Sequence, residues 1–451
     1  MDFNSVRLCA FFVYRTYTEP HVNADSYSYF RPDYDKSYRT PVYPYLIKAV
    51  RVISGNERCY YNVVIIQEVV YFVSIIFFYL VIKKITKKRA IVIIASLLYG
   101  CLPSLFCWTQ SILTESLTIS TTTVIAYLTI SYFVKPNAIY AILISALSFF
   151  ATMLRPAMVF LASIFLVFWI VKLFANKKKK ERIRHGFGLA SCIFAIALVV
   201  GYCFMIKDRY GFFGVSWVSN HNKMWLLTES GLYAKSQDKE KVELIESAGM
   251  GELWSGYFLL VNRYGMDETM KYWSETVKQN LPEYLSFLAK KAISYSKETI
   301  HTVYSTGYLG KINDIPDEKA VLLTGVSGMM LPISCGMMYV ILIFDIVYLI
   351  YLLIKRKTMD WMVAFTTAFV FCNFFLSMFM APFEFQRLFS VSVPFLIIML
   401  AHYANKIACR GKDLAFEERI FPAKTLNKKQ LLLIGSLNYN SICNLKKHKN
   451  K

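Results

Sequence analysis

VVIIQEVVYFVSIIFFYLVI, Val63–Ile82, runs without a break into KKITKKR, Lys83–Arg89. At 1.5 Å rise per residue such a run makes a helix about 30 Å long, the thickness of a bilayer's hydrocarbon core. Only Gln67 and Glu68 interrupt it. In lipid the backbone has no water to bond, so a run of this length must close its own hydrogen bonds as a helix. The basic heptad that follows marks the end that stays inside, because short Lys/Arg-rich loops are retained in the cytoplasm. Working outward, comparable apolar runs cover Ala90–Trp108, Leu117–Val134, Ile139–Leu154, Ala157–Ala175, Gly186–Ile206, Leu331–Ile354, Trp361–Met380 and Phe389–Ala404. The fold class this predicts is an all-α polytopic membrane protein with nine to ten transmembrane helices and a helical outer domain.

Composition agrees. Of 451 residues, 56% are hydrophobic and 18% charged, against roughly half and a quarter in soluble domains. The net charge of +21 would suggest nucleic acid in a soluble chain. Here the cations fall in gaps between apolar runs: Lys83–Arg89, Lys177–Arg184, Lys355–Lys357 and the tail from Asn405. That distribution excludes nucleic acid as a partner and points to membrane lipids, with the basic tail against anionic headgroups. The cysteines sit mostly inside apolar runs, as small soft packing residues, and show neither zinc spacing nor a disulfide framework.

With the basic gaps inside, the remaining gaps fall outside, and the chain divides into four parts. Residues 1–206 form a transmembrane half with a first outer loop at 15–60. Residues 207–320 form an outer helical domain, with helices expected over Asp238–Ala248, Asp267–Lys278 and Glu283–Tyr304. Residues 321–404 return as C-terminal transmembrane helices, and 405–451 are a basic cytoplasmic tail. The apolar segment Val6–Tyr14 is only about 14 Å long as a helix and is expected to be the remnant of a longer first helix. The localisation implied is the inner or plasma membrane.

The outer gaps hold the unusual residues. The first carries Asp25, Tyr27, Asp33, Asp35 and Arg39-Thr40-Pro41-Val42-Tyr43-Pro44. The second carries Thr114-Glu115-Ser116-Leu117. Arg155-Pro156 forms a third, and Glu384, Gln386 and Arg387 precede the last helix. Each has a plain reading: Asp25 as a solvated loop carboxylate, Glu115 as a charge at a helix N-terminus, Arg155 and Arg387 snorkelling to headgroups, Pro41 and Pro44 shaping a re-entry turn. Taken together, a carboxylate and two arginines at one membrane level suit transfer from a lipid-phosphate sugar. That chemistry needs a base for the acceptor hydroxyl and cations that grip the leaving phosphate, which arginine does with a two-pronged fork.

The strings Asp25 with Tyr27 and Tyr29, Arg39-Thr40-Pro41-Val42-Tyr43-Pro44, Thr114-Glu115-Ser116-Leu117, Leu154-Arg155-Pro156 and Arg387-Leu388 with Pro394 resemble motifs of the GT-C superfamily of membrane glycosyltransferases. The likeness is to the bacterial branch related to protein O-mannosyltransferases and the lipid A aminoarabinose transferase. It covers roughly Asp25 to Ala404. The resemblance implies an inverting transferase that uses a polyprenyl-phosphate-linked donor and a lipid, glycan or protein acceptor hydroxyl. By it Asp25 is the catalytic base, Arg155 and Arg387 bind the donor phosphate, and Tyr27, Arg39, Glu115 and Glu384 order the site or meet the acceptor. Ser26 stands where that branch commonly has a second acidic residue. No cofactor is implied; Asp33 and Asp35 have the spacing of a carboxylate pair for a divalent metal. The rival readings are an O-antigen-type polysaccharide polymerase, a lipid-linked glycan transporter and a non-catalytic scaffold.

Overall fold

The computed structural model describes residues 20, 22, 24–30, 39–176, 178–249, 255–297, 317–355, 359–380 and 385–409. Asp33, Asp35, Glu384, the Val6–Tyr14 segment and residues 410–451 of the tail lie outside them. Among the described residues every regular element is a helix.

Six helical stretches are long and apolar enough to cross a membrane: Val42–Ile85, Glu115–Val134, Pro156–Ala175, Lys179–Tyr210, Gly336–Ile354 and Arg387–Ala408. Three shorter apolar helices, Arg89–Cys101, Ala138–Leu154 and Trp361–Ser377, complete the set predicted from the sequence. The chain is thus an all-α polytopic membrane protein. The Glu115–Val134 helix is its centre, packed on both Val42–Ile85 and Ala138–Leu154. It is also the helix richest in hydroxyls. Thr118, Ser120, Thr122, Thr123 and Ser131 each donate to the carbonyl four residues back, at 2.6–2.9 Å, so these five hydroxyls are satisfied within the helix. Peripheral helices instead turn apolar side chains outward: Phe174, Phe194, Val340, Ile343 and Leu353 are all exposed, as a lipid-facing surface requires.

Two expectations change. The run Ala90–Trp108 is not one helix. It stops at Cys101, makes one short helical piece, Pro103–Phe106, and ends in a 3₁₀ turn, Cys107–Thr109. Pro103 has no N–H to continue the ladder and pushes Leu102 to extended backbone, ψ 116°. Pro41 and Pro44 do not shape a re-entry turn either. Pro41 caps the Val42–Ile85 helix and Pro44 sits in its first turn, where a missing N–H costs nothing. That helix breaks once, at Gly55, whose φ of +75° is left-handed and suits glycine.

Within residues 207–320, the segment expected to form an outer domain, lie the helices Val218–Glu229, Lys239–Glu246, Gly256–Gln279 and Leu281–Lys297. They have their own apolar core, including Met224, Leu227, Ile245, Tyr257 and Leu260. Asp238 caps the second of these helices, its side chain accepting from the Lys241 N–H at 3.2 Å. The last helix is described as far as Lys297, and residues 298–304 of the expected helix lie outside the described residues.

Deep in the bundle Asp345 is fully buried and partnered. Thr367 donates to it at 3.0 Å, and the Tyr403 hydroxyl donates to its other oxygen. It ties three helices together.

Candidate active site

Asp25 lies in the first turn of the short helix Ala24–Phe30. Ser26 and Arg51 anchor that helix. The Ser26 hydroxyl, fully buried, donates to the Ile112 carbonyl at 2.9 Å, and Arg51 donates to the Phe30 carbonyl at 3.2 Å. Ser26 therefore holds the Ala24–Phe30 helix against the segment that leads into Glu115.

Five of the sequence-predicted residues meet here. Arg39 Nη2 is 2.6 Å from Asp25 Oδ1, and Arg387 Nη1 is 2.8 Å from Asp25 Oδ2. The same Arg387 places its Nε 2.5 Å from Glu115 Oε1, and Arg155 Nη1 lies 3.4 Å from that oxygen. Arg387 thus bridges two carboxylates, and Glu115 gathers two guanidinium groups. Three arginines and two acids leave the cluster with a net charge of about +1.

Its members are graded in depth. The Asp25 side chain is 32% exposed, those of Arg155 and Arg387 are 7% and 5%, and that of Glu115 is fully buried. Arg155 and Arg387 therefore do not snorkel to headgroups; they turn inward to Glu115. Burial works to raise the Asp25 carboxyl, but the Arg39 and Arg387 guanidinium groups outweigh it and hold it well below the usual carboxylate range. Asp25 is ionised at neutral pH.

Arg39 is itself held on three sides. Its Nε donates to the Ser28 hydroxyl at 2.8 Å, its guanidinium lies 4.9 Å above the Tyr29 ring, and its remaining edge meets Asp25. The neighbouring Thr40 donates to the Leu154 carbonyl at 3.2 Å, fastening this segment to the turn that carries Arg155. Tyr27, by contrast, points away. It is exposed and packs edge-on to Phe30, not against the charged cluster.

Beneath the site lies a buried polar brace that the sequence shows only as two interruptions. Tyr29 packs edge-on to Tyr43 at 5.0 Å, and the Tyr43 hydroxyl donates to Gln67 Oε1 at 2.7 Å. Gln67 Nε2 in turn donates to the Thr109 and Ser111 carbonyls at 2.8 and 2.9 Å. Beside it Glu68 accepts from Gln110 Nε2 at 2.5 Å. These bonds fix the turn that leads into Glu115. The available signal was an adjacent polar pair near the outer end of an otherwise unbroken apolar run, since buried polar groups persist where they have partners.

Among the described residues no group of three or more His, Cys, Asp or Glu side chains is placed to hold a metal ion. Both Asp25 oxygens face guanidinium groups.

No family model matches the chain, and no curated protein matches it in sequence. Among solved structures it superposes on the oligosaccharyltransferase AglB from Archaeoglobus fulgidus. Against AglB in complex with an inhibitory peptide and a dolichol-phosphate the TM-score is 0.44 at 12% identity, over 96% of this chain and 54% of that one. Against the apo form of the same oligosaccharyltransferase it is 0.46 at 13% identity, again over 96% and 54%. The chain spans about half the length of these structures. A superposition this loose transfers no chemistry, so the functional reading rests on the charged cluster itself.

Proposed function

We propose that this protein is a glycosyltransferase of the inner or plasma membrane. It moves a sugar from a polyprenyl-phosphate-linked donor to an acceptor hydroxyl at the outer face, with inversion at the sugar carbon. The observation that carries this reading is the bridge Asp25–Arg387–Glu115, which puts a solvent-reachable carboxylate beside buried guanidinium groups at the end of the bundle opposite the basic loops.

The charges suit the reaction. A sugar phosphodiester carries one negative charge, which neutralises a cluster of about +1. The acceptor oxygen attacks the anomeric carbon as its proton passes to Asp25, and a new C–O bond forms. The bond from that carbon to the phosphate oxygen breaks, and its electron pair leaves with the polyprenyl phosphate. The phosphate gains one negative charge while Asp25 loses one, so the site stays balanced through the step. A buried site favours a reaction that moves charge within it over one that creates net charge. A diphosphate donor, as a polysaccharide polymerase would use, brings an additional negative charge and fits this cluster less well.

In this scheme Arg387 and Arg155 receive the phosphate, Arg39 keeps Asp25 in place, and Glu115 orders both inner arginines. With no exposed surface, Glu115 is a positioning residue and not an acceptor contact. The outer domain stands on the same side as the site and would receive the lipid, glycan or protein acceptor.

The test is transfer of radiolabelled sugar from polyprenyl-phosphate to native membrane acceptors, comparing wild type with Asp25→Asn. Wild type transfers; the variant, nearly identical in shape, folds and loses transfer by about 10²-fold or more. Retained transfer in Asp25→Asn removes Asp25 as the base. Absence of transfer in wild type with every polyprenyl-phosphate donor removes the reading.

A further inference from the structure

The prong of Arg387 that would meet the donor is already bonded to a carboxylate. Its Nη1 is bonded to Asp25 Oδ2 at 2.8 Å, while its Nε is bonded to Glu115 Oε1 at 2.5 Å. The two bonds differ in what surrounds them. Glu115 is sealed in the bundle, at the head of the central helix, and holds the guanidinium from beneath. Asp25 is on the solvent side, and its other oxygen is independently held by Arg39 at 2.6 Å. Loss of the Arg387 bond therefore leaves Asp25 in place: Arg39, itself fixed by Ser28 and the Tyr29 ring, keeps the carboxylate where it is.

We infer that Asp25 stands in for the donor's phosphate on Arg387, so that arrival of the donor is the event that frees the base. This rests on the proposed transferase reading and adds an order to it. The phosphate takes the Nη1 edge from Asp25, while Nε stays on Glu115 and keeps the fork aimed. Asp25 then faces one guanidinium in place of two, and it gains proton affinity only when a sugar donor is present. Before that, the carboxylate is too tightly paired to draw a proton from an alcohol or from water. The consequence is ordered binding, donor before acceptor, with the unoccupied enzyme held inactive by its own base.

Competition of this kind has a signature in binding that needs no turnover. The probe is farnesyl phosphate, a short polyprenyl phosphate, titrated calorimetrically into the full-length protein in nanodiscs. Asp25→Asn removes the competing charge but keeps the shape, and we expect it to bind farnesyl phosphate about tenfold more tightly than wild type. That is the order of freeing one charge-assisted hydrogen bond. Asp25→Ser, which cannot reach Arg387 as a charge, gives the same gain by a second route should the asparagine variant not fold. In an Arg387→Gln background, where Arg155 still offers the phosphate a guanidinium, the same Asp25 substitutions gain less than about twofold, because there is no shared prong left to release.

Equal or weaker binding by Asp25→Asn and Asp25→Ser than by wild type overturns the exchange. A gain of equal size in the Arg387→Gln background also overturns it, since the effect would then be plain repulsion between carboxylate and phosphate. If wild type and all variants fail to bind farnesyl phosphate and longer polyprenyl phosphates alike, the carrier reading itself falls. If wild type binds and transfers sugar but the gain is missing, the transferase reading survives and only the ordered release is lost.

Discussion

Replacing Glu115 with glutamine separates two explanations for a carboxylate at this position. Glu115 opens the Glu115–Val134 helix, where a negative charge gains from the helix dipole. That effect is worth about 0.3–1 kcal/mol. It is also the fully buried partner of Arg387 at 2.5 Å and Arg155 at 3.4 Å, both nearly buried themselves. Breaking a buried ion pair by removing one partner costs about 3–5 kcal/mol, because the remaining charge stays desolvated without compensation. Glutamine keeps an acceptor oxygen for one guanidinium, and Asp25 still neutralises part of Arg387, so the lower end applies. We expect Glu115→Gln to lose about 3 kcal/mol of stability. The assay is SDS-titrated unfolding of the full-length protein in mixed micelles, followed by tryptophan fluorescence; Trp108, buried at 1% exposure close by in the chain, is a local reporter. A loss below about 1 kcal/mol would mean that Glu115 acts only as a helix-end charge. The buried bridge under the site would then be refuted as an energetic unit.

Two further substitutions probe the same framework. Arg39→Gln removes one of the two cations that hold Asp25 down, while burial continues to push its carboxyl up. The acid limb of the transfer pH profile therefore moves to higher pH, and an unmoved limb would show that Asp25 is not the titrating base. The sign for stability is the same. A depressed carboxyl contributes stability above its unfolded value of about 4 and loses it as pH falls through its lower folded value, so wild type outlasts Arg39→Gln in acid. Away from the site, Gly188→Ala would place its methyl carbon 2.7 Å from the Trp169 ring. That indole is fully buried and flanked by Tyr132 and Phe168 at 4.8 and 4.6 Å between ring centroids, so it has nowhere to retreat. A loss of about 1–3 kcal/mol is expected in the same unfolding assay, and a neutral substitution would mean that the two helices move apart freely.

Much of the architecture was legible because a bilayer constrains the chain one segment at a time. Helix length, the lack of charge in each run, and basic gaps on one side are local properties, and each can be read without knowing what lies next to it. The helices over Asp238–Ala248 and Asp267–Lys278 were visible from their helical composition, and the one starting near Glu283 from apolar and basic residues at helical spacing. Even the break in Ala90–Trp108 had a local signal, since Pro103 cannot continue a helix. The candidate residues Asp25, Arg39, Glu115, Arg155 and Arg387 were each legible as charged residues in outer gaps, and the motifs they sit in supplied the roles.

Their pairing was not legible. Asp25 and Arg387 are 362 positions apart, and Glu115 and Arg387 are 272 apart. Nothing local distinguishes an arginine that snorkels to a headgroup from one that turns inward to a buried carboxylate. Only packing of the last helix against the central one decides it. Tyr27 shows the converse, a motif residue that the short helix Ala24–Phe30 turns to solvent. Gln67 reads in sequence as a flaw in an apolar run, yet it closes three hydrogen bonds because the turn before Glu115 presents two carbonyls to it. The sequence by itself determined which segments are long and apolar enough to enter the membrane and which charges fall in the gaps between them, because burial in lipid is judged residue by residue. The tertiary structure alone decided which of those charges face each other, because an ion pair depends on the separation of two side chains and that separation exists only once the helices have packed.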